Sequence, residues 1–347
     1  MAPCSRADSQ WPLGLSPLPR PLDNAAAACL DFRPHDQDNQ KALGAPIGPI
    51  GVPVRLVRYD RGGTPTVGVL DPVSQTVVDV EAEVADIDAL IRTWSPALAE
   101  RLSKVAQAGA GTPLDTVRLL APFPPASREI FCVGKNYLEH AAEFERSGYD
   151  SGAGAAGGAA SYPVIFTKAA RSLIGPDDAI PDHASLTSAV DYEAELAVVI
   201  GLGGRFIAKA DAWEHVFGYT VLNDVTARDL QRNHQQWFLG KSLDGFCPIG
   251  PYLVTRDEVD ASSLAVRSWV NGELRQSANT ADLIFDIPTL IATISAGITL
   301  EPGDVIATGT PSGVGAGFHP PRFLRAGDLV SVEVEQVGRL SNPVVAG

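Results

Sequence analysis

Cysteine is scarce and scattered. Cys4, Cys29, Cys132 and Cys247 stand far apart with no CxxC pair, which excludes a disulfide framework and a zinc ribbon and fits a reducing cytoplasm. Positive charge is also in deficit. With 27 Lys and Arg against 41 Asp and Glu, a formal net charge of −14 and a pI near 4.8, the chain lacks the clustered cations of a nucleic-acid footprint. An anionic ligand would therefore need local cations or a metal. No apolar run reaches the length of a membrane span, and the N-terminus lacks a basic region followed by an apolar core, so neither membrane nor export is expected. What the chain has in quantity is globular material: 45% hydrophobic and 20% charged residues lie far from the composition of disorder, and 347 residues can bury a large core.

Residues 1–50 are rich in Pro and Ala with no sustained period and read as a disordered extension. Strand-like alternation begins at VPVRLVRYD (52–60) and recurs in TVGVLD (66–71) and TVVDV (76–80); helical spacing follows from 80 to about 107. The proline-rich joint APFPPASRE (121–129) closes a small β-rich N-terminal domain over 52–122. A larger domain over 128–345 shows strand patterns at 130–134, 163–168, 195–201, 216–224, 250–255, 264–272, 304–309 and 329–338. Helical patterns are few, around 137–146, 225–232 and 285–295. The absence of βαβ alternation excludes a doubly wound sheet, so the predicted class is α+β and β-dominated. The segment GYDSGAGAAGGAASY (148–162) reads as a mobile loop, and there are no internal repeats.

In DYEAELAVVIG (191–201), Asp191, Glu193 and Glu195 occupy alternate positions, and alternate side chains of a strand share a face. A solvated strand edge would explain three such carboxylates. The continuous apolar run at 196–200, however, marks a strand buried on both faces, where unpaired carboxylates are costly unless a cation meets them. In VLNDVTARDLQ (221–231), Asp224 ends an apolar strand, and Arg228 and Gln231 follow at i+4 and i+7 on one face of any continuing helix. Asp224 is then either the N-cap of that helix, with Arg228 pairing back to it, or a third oxygen ligand beside Glu193 and Glu195, with Arg228 and Gln231 reaching to a substrate. Three carboxylates suit Mg²⁺ or Mn²⁺, whereas zinc calls for His or Cys partners. In GKNYLEHAAEF (134–144), His140 and Glu143 are spaced so that the carboxylate can orient the imidazole as a general base, although a lone His is more often structural. Its place before the Gly/Ala loop suits a lid. LGKS (239–242) is not a P-loop, because Gln235 stands where the first glycine is required, and GLGGRF (201–206) has Phe206 where a dinucleotide fingerprint needs glycine. The backbone N–H groups of TGTPSGVG (308–315) are either plain turn chemistry or a cradle for a carboxylate.

In order, GKNYLEHAAEF, PVIFTKAARSLIGP, DYEAELAVVIG, NDVTARDLQ, WFLGKSLDGFCPIGPYLVT and IATGTPSGVG resemble the fumarylacetoacetate hydrolase family over about 128–345. The stretch 52–110 is similar to the small N-terminal domain of many bacterial members. The resemblance implies a mixed β-roll, a homodimer and Mg²⁺ or Mn²⁺ held by Glu193, Glu195 and Asp224. It further implies a catalytic dyad of His140 and Glu143 on a lid, Lys241, Arg228 and Gln231 at the substrate, and Thr310 holding the carboxylate of a 2-oxo acid. The implied reaction is hydrolysis of an acylpyruvate-type 2,4-dioxo acid. His140, oriented by Glu143, deprotonates a water that attacks the distal carbonyl; Lys241, Arg228 and Gln231 stabilise the oxyanion; an acid and a pyruvate-type enolate leave. Relatives on the same fold isomerise or decarboxylate 2-hydroxymuconate-like or oxaloacetate-like acids, and a non-catalytic binder of metal and 2-oxo acid would need the ligands without the dyad. Two departures stand out: a loop at 148–162 longer than the usual lid connection, and Ala169 after Lys168 where many relatives have proline.

Overall fold

Strand Ala194–Ile200 is buried at every position, and its side chains feed two cores. Ala197 and Val199 pack with Leu56, Val69, Leu90, Leu102 and Phe217, while Leu196, Val198 and Ile200 pack with Val221, Val266, Leu290, Val332 and Leu340. Burial on both faces is why the sequence runs apolar there instead of alternating. Each Val, Leu, Ile or Phe among them stabilises the fold by about 1.5–3 kcal/mol, and truncating Leu196 to Ala would cost about 2–5 kcal/mol through the cavity left behind.

The computed structural model describes residues 52–80, 86–108, 111–124, 130–150 and 161–347. The extension expected over 1–50 and most of the loop expected over 148–162 lie outside the described residues. The principal sheet runs in the order Thr112–Pro113, Thr76–Asp79, Thr64–Asp71, Arg55–Arg61, Cys247–Thr255, Val216–Asn223, Ala194–Ile200, Val305–Ala307, Ile130–Gly134, Val164–Lys168. The early strands therefore share one sheet with the later ones, joined where Arg55 pairs with Val254. A second, five-stranded sheet is ordered Glu273–Asn279, Ala265–Val270, Leu329–Val334, Gly338–Val345, Ile180–Pro181. It covers one face together with helix Ile287–Ser295, and helices Ile87–Arg92 and Pro96–Gln107 cover the other. The fold is thus β-dominated α+β, as the strand count predicts. Among the described residues no helix is long and apolar enough to cross a membrane.

Three local expectations are corrected. The helix expected over 80–107 is two helices, because Ser95 accepts the Leu98 N–H and Pro96 opens a new first turn. The helix expected from 225 begins only at Arg228, since Thr226–Ala227 pairs as a strand with Val190–Asp191. The strand expected over 329–338 is the first arm of a hairpin, with Gln336 at φ 61 in the turn and Gly338–Val345 returning. The functional consequence of the sheet is one of register. Ala194 lies opposite Asn223, Ala197 opposite Ala307, and Ala307 beside Cys132. The start of one strand and the ends of three others are thereby gathered at a single edge.

Candidate active site

Glu195 is carried on that central strand and Glu193 just before it, while Asp224 follows the neighbouring strand and donates its N–H to the Glu193 carbonyl at 2.9 Å. This backbone bond brings the Asp224 carboxylate beside the other two. One oxygen from each of Glu193, Glu195 and Asp224 lies within 4.8 Å of the others, and the residues are 4%, 1% and 0% exposed, so water screens none of them. Cations answer from three sides. Lys241 Nζ meets Glu193 Oε2 at 2.8 Å and Asp224 Oδ2 at 2.6 Å. Lys168 Nζ meets Asp224 Oδ1 at 2.5 Å and the Val225 carbonyl at 3.0 Å. Arg228 places Nη1 2.6 Å from Glu193 Oε1 and donates to Gln231 Oε1 at 3.2 Å.

Asp191 does not join the cluster, which corrects the expectation of three carboxylates on one face. The chain leaves the short strand Val190–Asp191 before entering Ala194–Ile200, and the Asp191 carboxylate turns to Arg228 Nε at 2.8 Å and to the N–H groups of Gly315 and Ala316 at 2.6 and 3.0 Å. Arg228 in turn pairs with Asp191 and Glu193, and does not reach back to Asp224 as a helix cap would have it. Its Nη2 is buried with no hydrogen-bond partner. An unpaired guanidinium N–H in a buried site is costly unless an anion meets it.

His140 Nδ1 lies 3.5 Å from Glu143 Oε2 on helix Leu138–Arg146. Glu143 is fixed from behind by the Gly313 N–H at 3.0 Å and packs so closely on Gly317 that any side chain there would collide with it. The Gly-rich turn does hold carboxylates, but they are the protein's own: Gly309 N–H, at φ 105, donates to Glu195 Oε2 at 2.8 Å, Gly313 to Glu143, and Gly315 with Ala316 to Asp191. Thr310 lines the cleft, with its hydroxyl donating to the Ala194 carbonyl at 3.0 Å and accepting from Gln276 at 2.8 Å. Glu193, His140, Arg228, Gln231, Lys241 and Thr310 all border one narrow cleft that also touches Lys135 and Trp237. Glu195 and Asp224 lie behind it.

The electrostatics divide the two glutamates. Burial alone would push the Glu193 carboxyl up, yet Lys241 and Arg228 outweigh it and pull the value down to about 2. Burial, then the charges of Asp224 and Glu193, push Glu195 well above the ordinary carboxylate range. Lys241 is raised, since Asp224 and Glu193 together overcome its burial. When all are ionised, four buried carboxylates, Asp191 included, face three buried cations, Lys168, Arg228 and Lys241, one negative charge in excess that the raised Glu195 carboxyl removes by holding its proton. An all-oxygen donor set with excess charge fits a hard divalent cation such as Mg²⁺ or Mn²⁺. Sequence reasoning missed Lys168, whose signal was a lysine ending the apolar strand Val164–Lys168. The departure at Ala169 matters locally: its N–H donates to Ser242 Oγ at 2.9 Å, beside Lys241, a bond proline could not make.

A profile of the fumarylacetoacetate (FAA) hydrolase C-terminal family matches residues 129–345. The chain is 50% identical over 232 residues to the oxaloacetate tautomerase YisK of Bacillus subtilis, covering 67% of this chain and 74% of that protein. Among solved structures it is similar to a fumarylacetoacetate hydrolase from Exiguobacterium antarcticum, with a TM-score of 0.72 and 43% identity over 85% of this chain and 100% of the other. It is also similar to maleylpyruvate hydrolase from Sphingobium sp. SYK-6 in complex with manganese(II) and pyruvate, with a TM-score of 0.67 and 32% identity over 84% of this chain and 99% of the other.

Proposed function

This chain belongs to the fumarylacetoacetate hydrolase family, and from that membership we propose that it is a divalent-metal enzyme interconverting the enol and keto forms of a small 2-oxo acid of the oxaloacetate type. The observation that carries the reading is the buried triad Glu193, Glu195 and Asp224 set beside Arg228, whose buried Nη2 has an N–H to give to an anion. The tautomerase relative supports the choice of reaction, and the manganese complex of a structural neighbour supports the metal.

Conversion of an enol to a ketone removes a proton from the C2 hydroxyl and adds one at C3, with no net loss or gain of atoms. When bound, Mg²⁺ or Mn²⁺ supplies Lewis acidity at the 2-oxo oxygen. The protein's part begins with Glu193, Glu195 and Asp224 as the ligands that hold the ion. Arg228 and Gln231, joined to each other, take the substrate's carboxylate, and the Thr310 hydroxyl faces the same cleft. His140 is the group that moves the proton. Glu143, oriented by the Gly313 N–H, keeps the hydrogen on Nδ1 and leaves the other ring nitrogen as base. Lys241 holds the carboxylates of Glu193 and Asp224 in place and adds positive charge where the oxygen becomes negative.

A second reading, hydrolysis of an acylpyruvate, draws support from the same His140–Glu143 pair acting on water: a C–O bond would form at the distal carbonyl, the C3–C4 bond would break, and an acid and pyruvate would leave. One assay separates them. With Mg²⁺ or Mn²⁺, the purified protein should speed the loss of the enol absorbance of oxaloacetate in an EDTA-sensitive way without releasing pyruvate. Pyruvate from acetylpyruvate or fumarylpyruvate would move the assignment to hydrolase, and pyruvate from oxaloacetate to decarboxylase.

A further inference from the structure

The cleft contains a cation that the proposed chemistry leaves unused. Lys135 lines it beside His140 and Phe144, with its side chain 11% exposed and its Nζ 2.8 Å from Asp150 Oδ2. The backbone there stands at φ 55, in the left-handed region. The other two cations of the cleft, Arg228 and Lys241, are committed to the buried carboxylates. Lys135 is met instead by a carboxylate of 16% exposure, close enough to water to be rehydrated cheaply if it is displaced.

Geometry puts Lys135 within reach of whatever Arg228 holds. Lys135 Nζ lies 5.7 Å from the centroid of the Phe144 ring and the Arg228 guanidinium carbon 5.3 Å from the same centroid. Both cations border the one cleft, so a ligand in it is open to each. Asp150 is kept near by Tyr149, whose ring packs edge-on against Phe323 at 5.7 Å and beneath the Arg232 guanidinium at 5.2 Å.

We infer that Lys135 is the specificity-determining residue that takes the second carboxylate of a dicarboxylic 2-oxo acid, with Asp150 as the built-in competitor for the same ammonium. This rests on the 2-oxo acid reading above. Exchange of one carboxylate for another at Nζ keeps the ammonium paired, and the displaced Asp150 turns to solvent. A monocarboxylic 2-oxo acid has nothing to displace Asp150 with and forgoes a charge-assisted hydrogen bond.

The test compares oxaloacetate with its 4-methyl ester, which keeps the skeleton and removes the distal charge. Using the full-length Mg²⁺-loaded protein, both are followed by steady-state tautomerisation and by calorimetric binding. Wild type should prefer oxaloacetate. In Lys135→Met the oxaloacetate-to-ester ratio of kcat/KM should fall at least tenfold, mainly through KM, and Lys135→Arg should restore most of it. Asp150→Asn should tighten oxaloacetate binding several-fold, in a variant that keeps Lys135 itself. An unchanged ratio in Lys135→Met, or weaker oxaloacetate binding in Asp150→Asn, overturns the inference. If wild type turns over neither compound, the tautomerase reading fails by itself and binding decides the inference: equal affinity for the two overturns it, and a preference for oxaloacetate that Lys135→Met abolishes supports it.

Discussion

At the inner end of the cleft the charges are shared and sealed from water, whereas at the rim they lie nearer to it. Lys241 bridges Glu193 and Asp224, Arg228 bridges Asp191 and Glu193, and Lys168 holds Asp224 from the far side, with no side chain in this lattice more than 5% exposed. At the rim, His140 faces Glu143 with side chains 6% and 15% exposed, and Lys135 faces Asp150 at 11% and 16%. The difference teaches where chemistry and stability can be separated. Removing one member of the inner lattice strands several charges away from water, so the fold and the metal site should fail together. Removing a rim residue leaves one partner that solvent can reach, so activity should fall while the fold persists.

The sharpest way to break this contrast is Asp224→Ala, which leaves both Lys168 and Lys241 short of a partner. Denaturant unfolding should show a loss of about 3–5 kcal/mol, and calorimetry should show no binding of Mg²⁺ or Mn²⁺. A loss under about 1 kcal/mol would mean that the lattice relaxes or admits water, and the inner end would then behave like the rim. His140→Ala tests the other side. Turnover should fall by about 10²–10⁴-fold, the usual contribution of a positioned acid or base, while stability drops by only about 1 kcal/mol and metal affinity is kept. Destabilisation as large as that of Asp224→Ala would dissolve the distinction.

The same contrast explains how far the sequence could be read. The apolar run at 196–200 announced a strand buried on both faces, and that burial made the neighbouring glutamates anomalous enough to single out. His140 and Glu143 were legible because three residues of helix are a local distance. Lys168 ends an apolar strand, but nothing in the sequence tied it to Asp224, 56 residues away, because a long-range ion pair has no period. Asp191 misled for a related reason: alternation on paper assumed one continuous strand, and the break at 192–193 turned its carboxylate toward Arg228. The Gly-rich turn read as either plain turn chemistry or a cradle for a ligand carboxylate, and its N–H groups are taken up by Glu195, Glu143 and Asp191, partners that only the tertiary fold brings to it. Tight spacing therefore revealed residue types and local pairs, while the sharing of charge that distinguishes the inner end stayed hidden.

A finer test lies within the inner lattice, between two glutamates two residues apart. Glu193 sits at about 2, below its ordinary 4.5, so its ionisation stabilises the fold above 4.5, and that contribution is lost as pH falls from 4.5 through about 2. Glu195 is raised above 4.5, which reverses the sign: its contribution is full below 4.5 and is lost as pH rises from there through its folded value. A divalent ion needs Glu195 as carboxylate, so it must expel the proton that the metal-free site retains. Metal affinity should therefore rise with pH by up to about tenfold per unit below the folded value of Glu195 and level off above it. Calorimetry in two buffers of different ionisation enthalpy should report up to one proton released per ion. The stabilisation that Mg²⁺ or Mn²⁺ gives to thermal unfolding should grow over the same interval. A pH-independent affinity with no proton release would mean that Glu195 is already ionised beside Glu193 and Asp224, and that the site bears its one excess negative charge without an ion.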